Sequence, residues 1–378
     1  MTLNRRHFIA GASSLSLLGS PLFNARAETL QKRNLVVIML RGAMDGLTAV
    51  PIRDSLLTTR RPDILVDGAK TLNADFSLHP QLSAFHKMWK AGQATVVHAT
   101  SIPYTNRSHF EGQDVMQSGG YVPYADKTGW LGRGISAASL DGVALSLPMP
   151  LLLRGAAMPD NFYPAKFPMP RDVIMEKIVS SYDADAELKS VMERIQSRPV
   201  SMSFSTSSDI ANLAQQAAEQ LADPLGPRVA VFDIGGFDTH AAQGGADGAH
   251  GEKLAEYDRV LNILARGLKK EMDNTLIVTL TEFGRMLEQN GGYGTEHGYG
   301  TAILMAGGLV KKSQVYTDWP GLKHKELYEG RDLMATIDAR SVYCSAMATC
   351  FDTDFEKLRL SAFAGAELED LTDTLFNI

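Results

Sequence analysis

Five short stretches of the chain are almost continuously apolar: Leu35–Leu40, Ala94–Ala99, Val229–Ile234, Leu276–Leu280 and Ala302–Ala306. A strand with one wet face alternates apolar and polar residues, because successive side chains point to opposite faces. These runs do not alternate, so they are predicted as strands buried on both faces, as in a parallel sheet covered by helices. Helical spacing lies between them. Over Asp209–Leu221, the residues Ile210, Leu213, Ala214, Ala217 and Leu221 form one apolar stripe, with Ser207 or Ser208 as the predicted N-cap. Glu252–Lys269 and Ser341–Thr349 are two further predicted helices. Between about 141 and 226 the pattern changes. Six of the 16 prolines fall between Pro148 and Pro170, and Lys- and Glu-rich helical segments follow with no strong strand. This segment is predicted as a helical insert or cap. The expected architecture is a three-layer α/β/α sandwich over residues 28–378, with a mainly parallel central sheet.

The first 27 residues stand apart. Asn4-Arg5-Arg6-His7-Phe8-Ile9 reads as a twin-arginine signal, followed by a mildly apolar stretch and an A-x-A cleavage site at Ala25-Arg26-Ala27. The stretch is too polar and broken to span a membrane. Export by the twin-arginine machinery to the periplasm or beyond is therefore expected. The full chain carries 43 acids and 37 bases, net −6. Without the three arginines of 1–27, 34 bases remain and the net charge is −9. Nucleic acid is excluded as a main partner, since phosphate binding needs a basic face. At 44% hydrophobic and 21% charged, the chain is expected to fold around a sizeable core. Cys344 and Cys350, six apart on a predicted helix, would lie ~9 Å apart along its axis. That is too far for a disulfide, and they are read as packed core residues.

Ligands of open α/β sheets sit at the carboxyl ends of strands, and there the candidate chemistry gathers. Arg41-Gly42-Ala43-Met44-Asp45 follows the first run. Thr105-Asn106-Arg107-Ser108-His109 lies beyond the second. Phe237-Asp238-Thr239-His240 follows the third, and Thr281-Glu282-Phe283-Gly284-Arg285 the fourth. Gly294-Thr295-Glu296-His297 precedes the fifth. Asp238 and His240, two apart in extended chain, point the same way and form half of a site for zinc or manganese. Asp45, Glu282 and His297 are candidates to complete it or to build a second site beside it. Several carboxylates meeting at one point repel unless a cation neutralises them. His79, His86, His98, His250 and His324 have no partner motif and are read as structural. Walker A, H-E-x-x-H and, beyond residue 27, G-x-S-x-G are absent. No dinucleotide fingerprint is present either, which disfavours an oxidoreductase.

The segments LVVIMLRGAMDGL, RSHF, GWLGR, FDTH, TEFGR and GTEHG, in this order, resemble the exported "domain of unknown function 1501" family over about 30–375. That family looks like a branch of the alkaline phosphatase and sulfatase superfamily. The resemblance implies an alkaline phosphatase-like sandwich holding one or two divalent ions and acting on a small anionic ester. It implies Asp45 as the first-strand metal aspartate, Asp238 and His240 as the Asp…His pair, and His297 as the late metal histidine. Glu282 falls where the superfamily has an aspartate. Phe283 follows it in place of a ligating histidine, and His109 is the candidate replacement. Ser108, with Thr105 as alternate, takes the nucleophile's place at a helix start. Arg285 or Arg107 would steady the anion, with Arg41 also at hand. Neither Cys344 nor Cys350 stands in the C-x-P-x-R context of a sulfatase, so that chemistry is excluded. The expected function is an exported metal-dependent hydrolase or transferase of phosphate or sulfate esters. The alternative is a non-catalytic periplasmic binding or assembly protein on a degenerate hydrolase scaffold. For it, the family's habit of being encoded beside another exported family implies a protein partner.

Overall fold

The computed structural model describes residues 32–377, apart from 147, 157–158, 163–171, 183–184, 186–188 and 190–208. The expected signal segment, Ser207 and Ser208 lie outside the described residues.

The first strand, β1 (Asn34–Leu40), shows why the apolar runs do not alternate. Leu35, Val37 and Met39 join one core, and Val36, Ile38 and Leu40 join another on the opposite face. Each face needs its own covering layer. On one side lie helices α2 (Ser83–Lys90), α5 (Ile210–Ala222) and α6 (Ala249–Leu268), after the single turn α1 (Gly46–Ala49). On the other lie α3 (His109–Ser118), α4 (Trp130–Ala138), α7 (Ala339–Phe351) and α8 (Phe355–Ala362).

All five predicted runs are strands: β1, β4 (Ala94–Ser101), β7 (Val229–Ile234), β8 (Thr275–Leu280) and β11 (Thr301–Ala306). Shorter strands complete the sheet: β5 (Gly142–Ala144), β6 (Asp160–Asn161), β12 (Val315–Tyr316) and β13 (Ile337–Asp338). The order is β12-β4-β11-β8-β1-β7-β5-β6, with β13 also on β4. Two small antiparallel pairs stand apart: β2 (Lys70–Thr71) with β3 (Ser77–Leu78), and β9 (Arg285–Gln289) with β10 (Thr295–His297). The fold is thus α/β with a mixed, mostly parallel sheet between helices. β11 is antiparallel to both neighbours, β4 and β8, and the other pairings in the sheet are parallel. An antiparallel neighbour needs no crossover helix. The chain leaving β8 therefore turns through the β9–β10 hairpin and re-enters as β11, which keeps 281–297 above the carboxyl end of β8. There it meets the loops after β1 and β7, because β1 lies between β7 and β8.

Two expectations are corrected. The segment 141–226 is not simply an insert over the sheet: β5 pairs in parallel with β7, β6 forms the sheet's edge, and α5 belongs to a helical layer. Strands of two or three residues leave no periodicity to read. The N-cap of α5 is Asp209, whose carboxylate accepts the Ala211 N–H at 3.1 Å. Cys344 and Cys350 are buried and unpaired along α7, and burial pushes both thiols up to about 12. Among the described residues no helix is long and apolar enough to cross a membrane.

Ile38 is fully buried in the middle strand. Ile38→Ala is expected to lower the unfolding free energy by about 2–5 kcal/mol, through lost burial and the cavity left behind. Denaturant titration of the two proteins checks this.

Candidate metal centre

Four side chains meet above the carboxyl ends of β1, β7 and β8. Asp238 and His240 come from the loop after β7. His297 ends the β9–β10 hairpin, and His109 opens α3. The Nε2 atom of His297 lies 2.9 Å from Nε2 of His109 and 2.9 Å from Nε2 of His240. Asp238 Oδ1 is 3.2 Å from His297 Nε2 and 3.0 Å from His240 Nε2, and Oδ2 is 3.4 Å from His109 Nε2. His109, Asp238 and His297 offer ligand atoms that all lie within 4.8 Å of one another.

The far sides of the rings decide what this contact is. Nδ1 of His109 faces Glu282 Oε1 at 2.7 Å, Nδ1 of His240 faces Glu296 Oε2 at 2.9 Å, and Nδ1 of His297 faces the Arg107 carbonyl at 2.8 Å. Each partner is an acceptor, so each Nδ1 carries the hydrogen. In a neutral ring that leaves Nε2 with a lone pair. With all three rings neutral, three lone pairs and a carboxylate face one another at hydrogen-bond distance, and only an added proton or a cation can bridge them. A cation between them relieves the repulsion. Nitrogen ligands 2.0–2.1 Å from one tetrahedral ion stand ~3.3 Å apart, close to the spacing seen. Imidazoles whose second nitrogen is held by a carboxylate or a carbonyl are the usual surroundings of a bound metal. The donor set fits a divalent ion such as zinc or manganese.

Backbone geometry sets these partners in place. Arg107 has φ +59°, in the left-handed region that a bulky residue enters at a cost of ~1–3 kcal/mol. That turn accompanies the aim of its carbonyl at His297. Gly42, at φ +112°, donates its N–H to Glu282 Oε1 at 2.9 Å, and a Cβ there would lie 2.4 Å from the Asp238 nitrogen.

The local fields follow from the same contacts. The hydrogen bond to Glu282 raises the His109 imidazole above its ordinary value, whereas burial lowers His297. Burial favours the neutral acid of Asp238. The bond and charge of Arg285, with the protonated forms of His109 and His240, outweigh it and hold the carboxyl down to about 2. Glu282 is fully buried, yet bonds from His109, Gln113 and the backbone keep it below the usual carboxylate range.

The structure gathers Asp238, His240 and His297 with His109, and sets the other expected residues back. The Glu282 carboxylate orients the His109 ring and also accepts Gln113 Nε2 at 3.1 Å. Asp45 lies in a separate buried network. It caps α1 at Leu47 N and takes bonds at Oδ2 from Arg61 at 2.6 Å, Gln243 at 2.7 Å and Thr48 at 2.8 Å. Arg61 and its other partners hold the Asp45 carboxyl well below the ordinary range, against the burial that raises it. A chain of bonds still joins it to the centre. Gln243 accepts from Thr295 Oγ1 at 2.6 Å, Arg285 donates to that hydroxyl at 3.2 Å, and Arg285 Nη1 reaches Asp238 Oδ1 at 2.8 Å. Arg285 is itself buried behind Asp238. Ser108 is half-buried at the start of α3, and its hydroxyl does not cap that helix. Arg107 pairs with Asp332 and Glu329, both at 2.6 Å. Arg41 pairs with Asp233 at 2.7 Å and donates to Gln113 at 2.7 Å.

The sequence reading missed Glu296, Gln113 and the Arg107 carbonyl. Glu296 adjoins His297 but serves His240, 56 positions earlier in the chain. Gln113 stands one helical turn beyond His109, on the same side of α3. That spacing was the available signal.

No curated protein matches this chain. Several solved structures are similar to it at low identity. Murine ectonucleotide pyrophosphatase/phosphodiesterase 5, inactive and in complex with AMP, is 11% identical over 91% of this chain and 100% of that one, with a TM-score of 0.42. The C-terminal periplasmic domain of EcEptC from Escherichia coli, in complex with Zn, is 14% identical over 73% of each chain, with a TM-score of 0.39. A 2-O GAG sulfatase is 11% identical over 75% of this chain and 65% of that one, at a TM-score of 0.37. The model of one family, described as "Protein of unknown function (DUF1501)", matches residues 65–343, and with most of its length so matched the chain belongs to the DUF1501 family.

Proposed function

We propose that this protein is an exported, metal-dependent hydrolase or transferase of phosphate or sulfate esters. The observation that carries the reading is the cluster of His109, His297 and Asp238, whose ligand atoms lie within 4.8 Å of one another, with His240 beside His297 and each ring held from behind by an acceptor. His109, His297 and Asp238 would hold one divalent ion, with His240 at its side, 2.9 Å from His297 Nε2. Such an ion polarises an ester oxygen and lowers the pKa of a nearby serine or water. The family motifs support the ester class.

The remaining work belongs to the chain's own groups. Glu282, Glu296 and the Arg107 carbonyl keep the rings in the ligating tautomer. Arg285 holds Asp238 ionised and aimed. Ser108 adjoins His109 at the start of a ten-residue helix, where the dipole favours a developing negative charge on its hydroxyl oxygen. It is the nucleophile of this reading. Export rests on Asn4–Ile9 and the A-x-A site, and the twin-arginine route carries proteins already folded, which suits a centre built from three distant segments.

One observation favours the second reading, a binding or assembly protein. Arg285 and Arg107, the cations expected to hold the ester's charge, are both committed to carboxylates.

Purified protein is expected to hold about one equivalent of zinc or manganese. His297→Ala should abolish binding, and Glu296→Gln should weaken it by about 10–100-fold, as removal of an orienting partner does. Elemental analysis and chelator competition measure both. An unchanged affinity in the His297 variant overturns the centre. Metal-loaded enzyme is expected to turn over an aryl phosphate, a phosphodiester or an aryl sulfate. Bound metal with no turnover on any of the three would favour the second reading. Gly42→Ala is expected to displace Asp238 and lower metal affinity by about tenfold or more, since it also strains the left-handed turn. Isothermal titration with zinc checks it.

A further inference from the structure

We propose that Lys253 and the Gly235-Gly236 turn form the oxyanion-holding side of this centre, taking the charged, non-reacting oxygens of a tetrahedral phosphate or sulfate group. The inference rests on the ester reading above and supplies the cation that reading lacks. Three arginines border the centre, and each is committed. Arg285 is buried on Asp238 and Thr295. Arg107 is held by Asp332 and Glu329, and Arg41 by Asp233 and Gln113.

Lys253 differs. It lies on α6, on the opposite side of the sheet from α3, and its side chain lies over Gly236, two residues before Asp238. A Cβ on Gly236 would lie 2.7 Å from Lys253 Cε and 3.5 Å from Nζ. Its ion-pair partner is Glu256, one turn along the same helix, at 2.8 Å with both side chains partly exposed. Such pairs are weakly held and exchange readily for a better anion. Gly235 and Gly236 are exposed, and among the described residues neither backbone N–H has an acceptor. A Cβ on Gly235 would meet nothing within 4 Å, so the turn is open on that side. Gly236 has φ +95°, which with the Lys253 contact explains a glycine there. Outward backbone amides beside a flexible ammonium are a recurrent way to bind a tetrahedral oxyanion. Gly235 and Gly236 precede Asp238 by three and two residues on the same loop after β7, which puts the turn on the segment that carries this ligand.

The test is calorimetric titration of the zinc-loaded full chain with inorganic phosphate and, separately, with inorganic sulfate. Wild type is expected to bind at least one of them, and the tighter of the two names the ester class. Lys253→Met should weaken that binding by about tenfold, the usual worth of a lost charge-assisted bond. Lys253→Arg should retain most of it, and zinc content should stay unchanged in both variants. Wild-type affinity in Lys253→Met, with zinc intact, overturns the subsite and leaves the ester reading standing. Failure of the zinc-loaded wild type to bind either anion overturns the ester reading, and the subsite falls with it.

Discussion

Three imidazole rings turned with their Nε2 atoms toward one carboxylate set the terms for everything around them. Left alone, such a cluster repels itself, so the protein must hold it together from behind. It does so with acceptors from separate places: Glu282 after β8, Glu296 within β10, and a carbonyl presented by the strained backbone of Arg107. Each acceptor draws a proton to Nδ1, which in a neutral ring leaves the lone pair on Nε2. Arg285 does the equivalent for Asp238 while buried from solvent. The charges of the inner ring are therefore set by the outer one.

The sheet makes that convergence possible. β1 stands between β7 and β8, so the loops after these strands open onto the same edge. The reversal of β11 brings the chain back through a hairpin rather than a helix, and His297 rides on that hairpin. α3 adds His109 from the layer that covers one face. Beneath the centre, a buried chain of bonds runs from Asp45 through Gln243 and Thr295 to Arg285. It ties the loop after β1, the loop after β7 and the hairpin into one rigid base. Asp45 thus shapes the centre from a distance, its charge already answered by Arg61. The outward side, with Lys253 over an open glycine turn, has no such lock.

Much of this was legible in the sequence alone. The runs from Leu35–Leu40 to Ala302–Ala306 determined the strands, because burial on two faces removes every polar position. Helical stripes fixed α5, α6 and α7, and the strand-end motifs pointed to Asp238, His240, His297 and His109. Spacing could not decide which carboxylates join the histidine cluster and which stand behind it. Asp45 and Glu282 look alike as letters at strand ends, but one is neutralised by Arg61 and the other is turned to a ring nitrogen. Nor could spacing show β5 and β6 at the sheet's edge, or Glu296 serving a histidine far upstream rather than its neighbour. Periodicity reports burial, which is a property of each residue and its near neighbours. Ligation, pairing and protonation depend on where distant segments meet, and only the folded chain settles that.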